Sequence, residues 1–121
     1  MLNRILTLFL IIVGANAFAS DAQVIEIKLN SYTINPDRIT VKAGQPVTLK
    51  VKNEASFIPH NLVIKAPQTG VEVKVDVSAG KSGEVSFTPT QPGTYEMVCD
   101  KQPPIGKSHK QKGMHGVLVV E

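Results

Sequence analysis

The chain contains a single cysteine, Cys99, so no internal disulfide can form. Long apolar runs are missing too. The one extended run, Ile5 to Val13, is broken by Thr7 and ends before Gly14 and Asn16, short of the roughly 20 residues a membrane-spanning helix needs. No stretch beyond it repeats with the 3.6-residue period of an amphipathic helix. Net charge is low, +3 in total, which is too weak a balance to indicate nucleic acid. No nucleophile–base pair and no glycine-rich phosphate loop is present, so no enzyme is predicted. Without an internal repeat, low-complexity tract or linker, the 121 residues read as one domain.

The first residues read as an address. Asn3-Arg4 gives a short basic start, the apolar run follows, and Ala17-Phe18-Ala19 places small residues where a signal peptidase reads. Residues 1–19 are therefore predicted to be a secretory signal peptide cleaved after Ala19, with Ala17 as second choice. The domain proper is residues 20–121, exported to the periplasm or secreted. No cysteine lies near the cleavage point to carry a lipid, so no membrane anchor is expected. Losing Arg4 leaves 12 basic residues against 10 acidic ones, a charge of +2.

What is present is short alternation. Ile25, Ile27 and Leu29 alternate with Glu26 and Lys28; Val47, Leu49 and Val51 alternate with Thr48, Lys50 and Lys52; Val71 to Val77 alternates without a fault. Arg38 to Lys42, the segment around His60 to Ile64, Glu84 to Thr88, Gly93 to Cys99 and Gly116 to Val120 complete about eight strands, separated by Gly, Pro and Asn turns. Such a pattern predicts an all-β, antiparallel sandwich or barrel. A short helical turn is allowed near residues 66–70 or within 100–112.

A lone thiol in an oxidising compartment is a liability unless something occupies it. The simple account is a small buried hydrophobe; the other is a metal. Cys99 is followed by His109 and Met114, and His60 lies upstream. Thiolate, two imidazoles and a weak axial thioether are the ligand set of a blue-copper electron-transfer site. Alternation puts His60 on one face with Leu62 and Ile64, Cys99 with Tyr95 and Met97, and Met114 with Gly116, Leu118 and Val120. Three of the four candidates thus stand at strand ends on the core face. Singly, each has an ordinary reading: a loop histidine, a core methionine, a solvated residue among lysines. Together they favour one copper ion, cycling between Cu(I) and Cu(II). His115 is the substitute for His109, disfavoured because it follows Met114 directly and points to the opposite face.

These residues resemble the cupredoxins, in particular small plastocyanin-like and azurin-like proteins. The resemblance rests on Asn35-Pro36, Ile39 to Gly44 and Val47, on Pro59-His60-Asn61, on Gly93 to Cys99, and on the spacing from His109 through Met114 and Gly116 to Val120. It implies a single-domain Greek-key β-sandwich and periplasmic or extracellular electron transfer. It also implies that Asn61 ties the His60 loop to the Cys99 loop. One departure stands out. Those proteins usually place two to four residues between the cysteine and the second histidine, whereas here Asp100 to Ser108 makes nine. A long loop must be held by other contacts, and Pro103-Pro104 supplies stiffness.

The expected function is one-electron transfer between redox partners by a monomer. A copper carrier or scavenger and a metal-free β-sandwich interaction module are the alternatives. Lys101, Lys107, Lys110 and Lys112 against Asp100 give the ligand loop a charge of +3. That excess suggests a redox partner that is an acidic protein, such as a cytochrome or an oxidoreductase.

Overall fold

A computed structural model describes residues 23–121; the predicted signal peptide lies outside the described residues. Nine strands follow in order: β1 Gln23–Asn30, β2 Thr33–Asn35, β3 Arg38–Val41, β4 Val47–Asn53, β5 His60–Ala66, β6 Val71–Val77, β7 Ser82–Phe87, β8 Gly93–Val98 and β9 His115–Val120. A 3-10 turn, Pro67–Thr69, joins β5 to β6, in one of the two places where the sequence allows a helical turn. The ninth strand is β2, three residues long, too short to show an alternation of its own.

The strands form two sheets, β2-β1-β4-β7 and β3-β9-β8-β5-β6, which pack as a β-sandwich. Alternation decides the core. Ile27, Leu29, Val47, Leu49 and Val51 from one sheet face Leu62, Ile64, Val73, Met97, Leu118 and Val120 from the other, and all are buried. Each wholly buried leucine among them contributes about 1.5–3 kcal/mol.

The sandwich is not purely antiparallel, as alternation alone suggested. β1 runs parallel to β4, with Ile27 opposite Val51, and β3 runs parallel to β9, with Ile39 opposite Leu118. Alternation reports which face a residue occupies, not the direction of its neighbour. The chain leaves the first sheet after β2, contributes β3 to the second, and returns as β4; such a crossover makes parallel neighbours. Gly116 makes the β3–β9 junction possible. Val117 N–H donates to the Asp37 carbonyl at 2.8 Å, and a Cβ on Gly116 would collide with that same carbonyl.

Strand register then collects the candidate residues. Val63 of β5 pairs with Val98 of β8, and Val98 pairs with His115 of β9. The start of β5, the end of β8 and the start of β9 therefore meet at one end of the sandwich. His60, Cys99 and Met114 are the residues at those three ends.

Candidate metal centre

His60 opens β5 and is fully buried. Two buried asparagines fix its approach. Asn53 donates through Nδ2 to the carbonyls of Ile58 and Val77, each at 2.9 Å, and accepts from Ala55 N–H at 2.9 Å. Asn61 donates to Asp100 Oδ1 at 2.6 Å and accepts from Asp100 N–H at 2.9 Å. The Asn61 backbone N–H points to Cys99 Sγ at 3.4 Å. So Asn61 joins the His60 and Cys99 segments directly.

Cys99 and Met114 are also fully buried, and His109 is 6% exposed. Cys99 N–H donates to the Met114 carbonyl at 3.1 Å, and Met114 N–H donates to the His109 carbonyl at 3.1 Å. His109 N–H donates to the Lys101 carbonyl at 2.9 Å. Residues 109–113 form a helical turn, in which Lys112 N–H reaches the Ser108 and His109 carbonyls. This is the other place where a helical turn was allowed.

Three donor atoms converge. His60 Nδ1 lies 3.2 Å from His109 Nδ1 and 3.9 Å from Cys99 Sγ, and His109 Nδ1 lies 3.5 Å from Cys99 Sγ. The circle through these atoms has a radius of about 2.1 Å, which matches metal–imidazole and metal–thiolate bonds of roughly 2.0–2.3 Å. Among the described residues, this is the one cluster of three such groups able to hold a metal ion. The donor set therefore fits a small, soft-to-borderline metal ion.

The electrostatics agree with that fit. Burial lowers the His60 pKa to about 4, with the neighbouring His109 adding to the effect. Burial also lowers His109, helped by Lys112 and Lys101. Burial raises the Cys99 thiol, against the backbone N–H of Asn61, which favours the thiolate. At neutral pH both imidazoles are unprotonated and ready to donate a lone pair, and only the thiol has a proton to lose.

His115 is exposed at the start of β9 and lies outside this cluster. The structure also shows neighbours that the sequence did not reveal. Ser31 Oγ is 3.4 Å from His60 Nε2, and the Tyr32 ring packs against both histidines. Both residues stand in the β1–β2 turn, where nothing in a single sequence marks them. The charge of the ligand loop is changed as well. Lys101 bonds Asp76 at 2.9 Å and Lys110 bonds Glu96 at 2.6 Å. Both pairs are exposed, so they add little stability, but they set two acids beside the four lysines and reduce the local excess from +3 to +1.

A model of the cupredoxin-like domain matches residues 3–120, and the chain belongs to that family. No curated protein matches it significantly by sequence. Among solved structures, the reduced auracyanin of the photosynthetic bacterium Roseiflexus castenholzii is similar with a TM-score of 0.67 and 25% identity, over 83% of this chain and 98% of that one. Auracyanin B gives a TM-score of 0.66 at 23% identity, over 83% and 89% of the two chains. Auracyanin A of Chloroflexus aurantiacus, described as a blue copper protein, gives 0.59 at 23% identity, over 81% and 99%. The last two likenesses describe the fold alone.

Proposed function

We propose that the protein binds one copper ion, which His60, Cys99 and His109 would hold with Met114 as a weaker fourth ligand, and carries single electrons between redox partners. The observation that carries this reading is the triangle of buried donors, 3.2, 3.5 and 3.9 Å on its sides, built around the chain's only cysteine. A bound copper ion supplies the one-electron Cu(I)/Cu(II) couple, which a mixed thiolate and imidazole set tolerates in both states.

The chain's own residues do the rest. Asn61 and Asn53 hold His60 and the Cys99 segment in place. The buried strand ends exclude water from the thiol and both Nδ1 atoms. His109 keeps the remaining exposure and provides the way out for the electron. Phe57 and Ile105, each 91% exposed, stand on the segments leading to the two histidines and suit an apolar contact with a partner at this end. An acidic redox protein in the periplasm or outside the cell remains the partner this reading expects, with the electrostatic part weakened by Asp76 and Glu96.

Copper carriage is the competing role. A carrier must release its ion, which favours loosely held ligands. Here the ligand loop is tied at Lys101, His109, Lys110 and Met114, which supports transfer of the electron rather than the ion. The test is to add Cu(II) to the mature protein and record visible and EPR spectra. An intense sulfur-to-copper charge-transfer band is expected, and it disappears in Cys99→Ser. A Cys99→Ser variant that keeps the same band overturns the assignment.

A further inference from the structure

The β1–β2 turn lies outside every ligand segment, yet it closes over the centre. The Tyr32 ring packs tilted against His109, with centroids 5.1 Å apart and planes at 57°. It meets His60 edge-on at 6.2 Å and 82°. The two histidine rings are 5.0 Å apart, so the three rings touch pairwise within the range of aromatic contacts. Lys112, from the ligand loop, places Nζ 4.3 Å from the Tyr32 centroid and donates to its Oη at 3.3 Å. Gly113 has φ +123°, and a Cβ there would come within 3.0 Å of the Tyr32 carbonyl oxygen. Turn and loop are thus fitted backbone to backbone.

The two imidazoles are oriented differently. A metal-bound histidine usually hydrogen-bonds through its other ring nitrogen, and that bond sets the ring's rotation. His60 has such a partner in Ser31 Oγ, 3.4 Å from Nε2. Among the described residues the contacts of the His109 ring nitrogens run only through Nδ1, to His60 and Cys99. Backbone bonds hold the His109 main chain but leave its χ angles free. Tyr32 is the ring packed on the imidazole from outside the donor triangle.

We propose that Tyr32, clamped by Lys112, is the positioning residue of His109: its ring sets the imidazole's rotation where an orienting hydrogen bond would otherwise do so. This rests on the copper reading of the site, but it concerns side-chain order that exists without metal. A Tyr32 that merely covers the core would stabilise the fold without governing the His109 ring.

The experiment compares Tyr32→Leu, Tyr32→Phe and Tyr95→Leu with the parent. Tyr95 is the control, a half-buried tyrosine whose Oη bonds the Gln91 carbonyl. The first readout is NMR of the His109 ring protons in the metal-free protein. Parent, Tyr32→Phe and Tyr95→Leu should show sharp signals displaced by the Tyr32 ring current or its Phe equivalent. Tyr32→Leu should lose the displacement and broaden. The second readout is copper loss to an excess of chelator, faster by roughly three- to tenfold in Tyr32→Leu and within about twofold of the parent in Tyr32→Phe. Sharp, immobile His109 signals in metal-free Tyr32→Leu beyond the simple loss of ring current overturn the proposal. Should Tyr32→Leu not fold, Tyr32→Phe combined with Lys112→Gln keeps the ring volume and removes the clamp. Broadening of His109 in that variant supports the proposal, and unchanged signals overturn it. Failure of every protein, parent included, to bind copper would sink the copper reading while the metal-free spectra still decide the role of Tyr32.

Discussion

Removing the Asn61 side chain should loosen the joint between the two ligand segments, and its size can be worked from the contacts. Asn61→Ala deletes one bond to a carboxylate, Nδ2 to Asp100 Oδ1 at 2.6 Å, and one from a backbone amide, Asp100 N–H to Oδ1 at 2.9 Å. Bonds to charged groups contribute about 1.5–3 kcal/mol and neutral ones about 0.5–1.5 kcal/mol. Asp100 is exposed, so water takes over part of both roles and the sum belongs at the low end. The Asn61 backbone N–H still faces Cys99 Sγ, so the sulfur keeps that contact. We expect a loss of about 2 kcal/mol, read as a urea midpoint lower by about 1–2 M with an unchanged slope. In thermal unfolding it is a drop of about 10 °C. The assay uses metal-free protein, so that loss of copper does not enter the result. In the copper-loaded protein the same variant should broaden the EPR signal, because Asp100 and with it the Cys99 segment are held less tightly against β5. A midpoint within about 0.3 M of the parent would refute the idea that Asn61 ties the segments energetically.

Four further outcomes follow from the same geometry. Copper binding near pH 7 should release one proton, from Cys99, because burial holds that thiol protonated and both imidazoles neutral. Apparent affinity should then rise about tenfold per pH unit, and calorimetry in two buffers showing three protons released would contradict it. His60 titrates at about 4 in the folded protein and near 6.5 when unfolded. The unfolded state thus binds its proton first, and the contribution of His60 to metal-free stability, read from urea midpoints across pH, should fall as pH drops from 6.5 to 4 and level off below. His115→Ala should leave the Cu(II) spectrum unchanged, His109→Ala should alter it strongly, and Met114→Leu should keep copper with a raised reduction potential; the reverse histidine result would mean the ligand loop folds differently. Lys107, which makes no ion pair among the described residues and, unlike Lys112, no contact with Tyr32, should be the loop lysine whose reversal to Glu most slows transfer to an acidic partner at low salt. A rate that is flat or rising with ionic strength would leave an apolar contact as the better account.

Much of the fold was legible because a period of two is a local signal. Val71 to Val77 and Val47 to Val51 show it in full, and the residues it places inward are buried, apart from the half-buried Val75. The parallel pairings of β1 with β4 and β3 with β9 were not legible, since nothing within a strand encodes its neighbour's direction. His60, Cys99 and His109 were singled out because their chemistry is rare and their order distinctive. Ser31 and Tyr32 carry no such mark: they reach the centre only because the β1–β2 turn returns to the same end of the sandwich. The acids that pair with the loop lysines were hidden for the same reason. Asp76 and Glu96 stand on β6 and β8, and only the packed sheet brings them alongside Lys101 and Lys110.

The nine residues between Cys99 and His109 look like too long a tether to fix two ligands. In the structure they do not act as one. His109 N–H donates to the Lys101 carbonyl at 2.9 Å, so the path from Cys99 to His109 runs through Asp100, Lys101 and a single hydrogen bond. Lys101 is held in turn by Asp76, and Asp100 by Asn61. The connection that governs ligand geometry is therefore as short as the two-residue spacing that a compact loop would use. Residues 102–108 form an excursion beyond it, carrying Pro103, Pro104 and the exposed Ile105. A site that must change charge with little movement needs the short path to be stiff, and it places no demand on the excursion. The length of the loop thus leaves the donor triangle intact and adds an exposed apolar side chain, Ile105, to the segment that leads to His109.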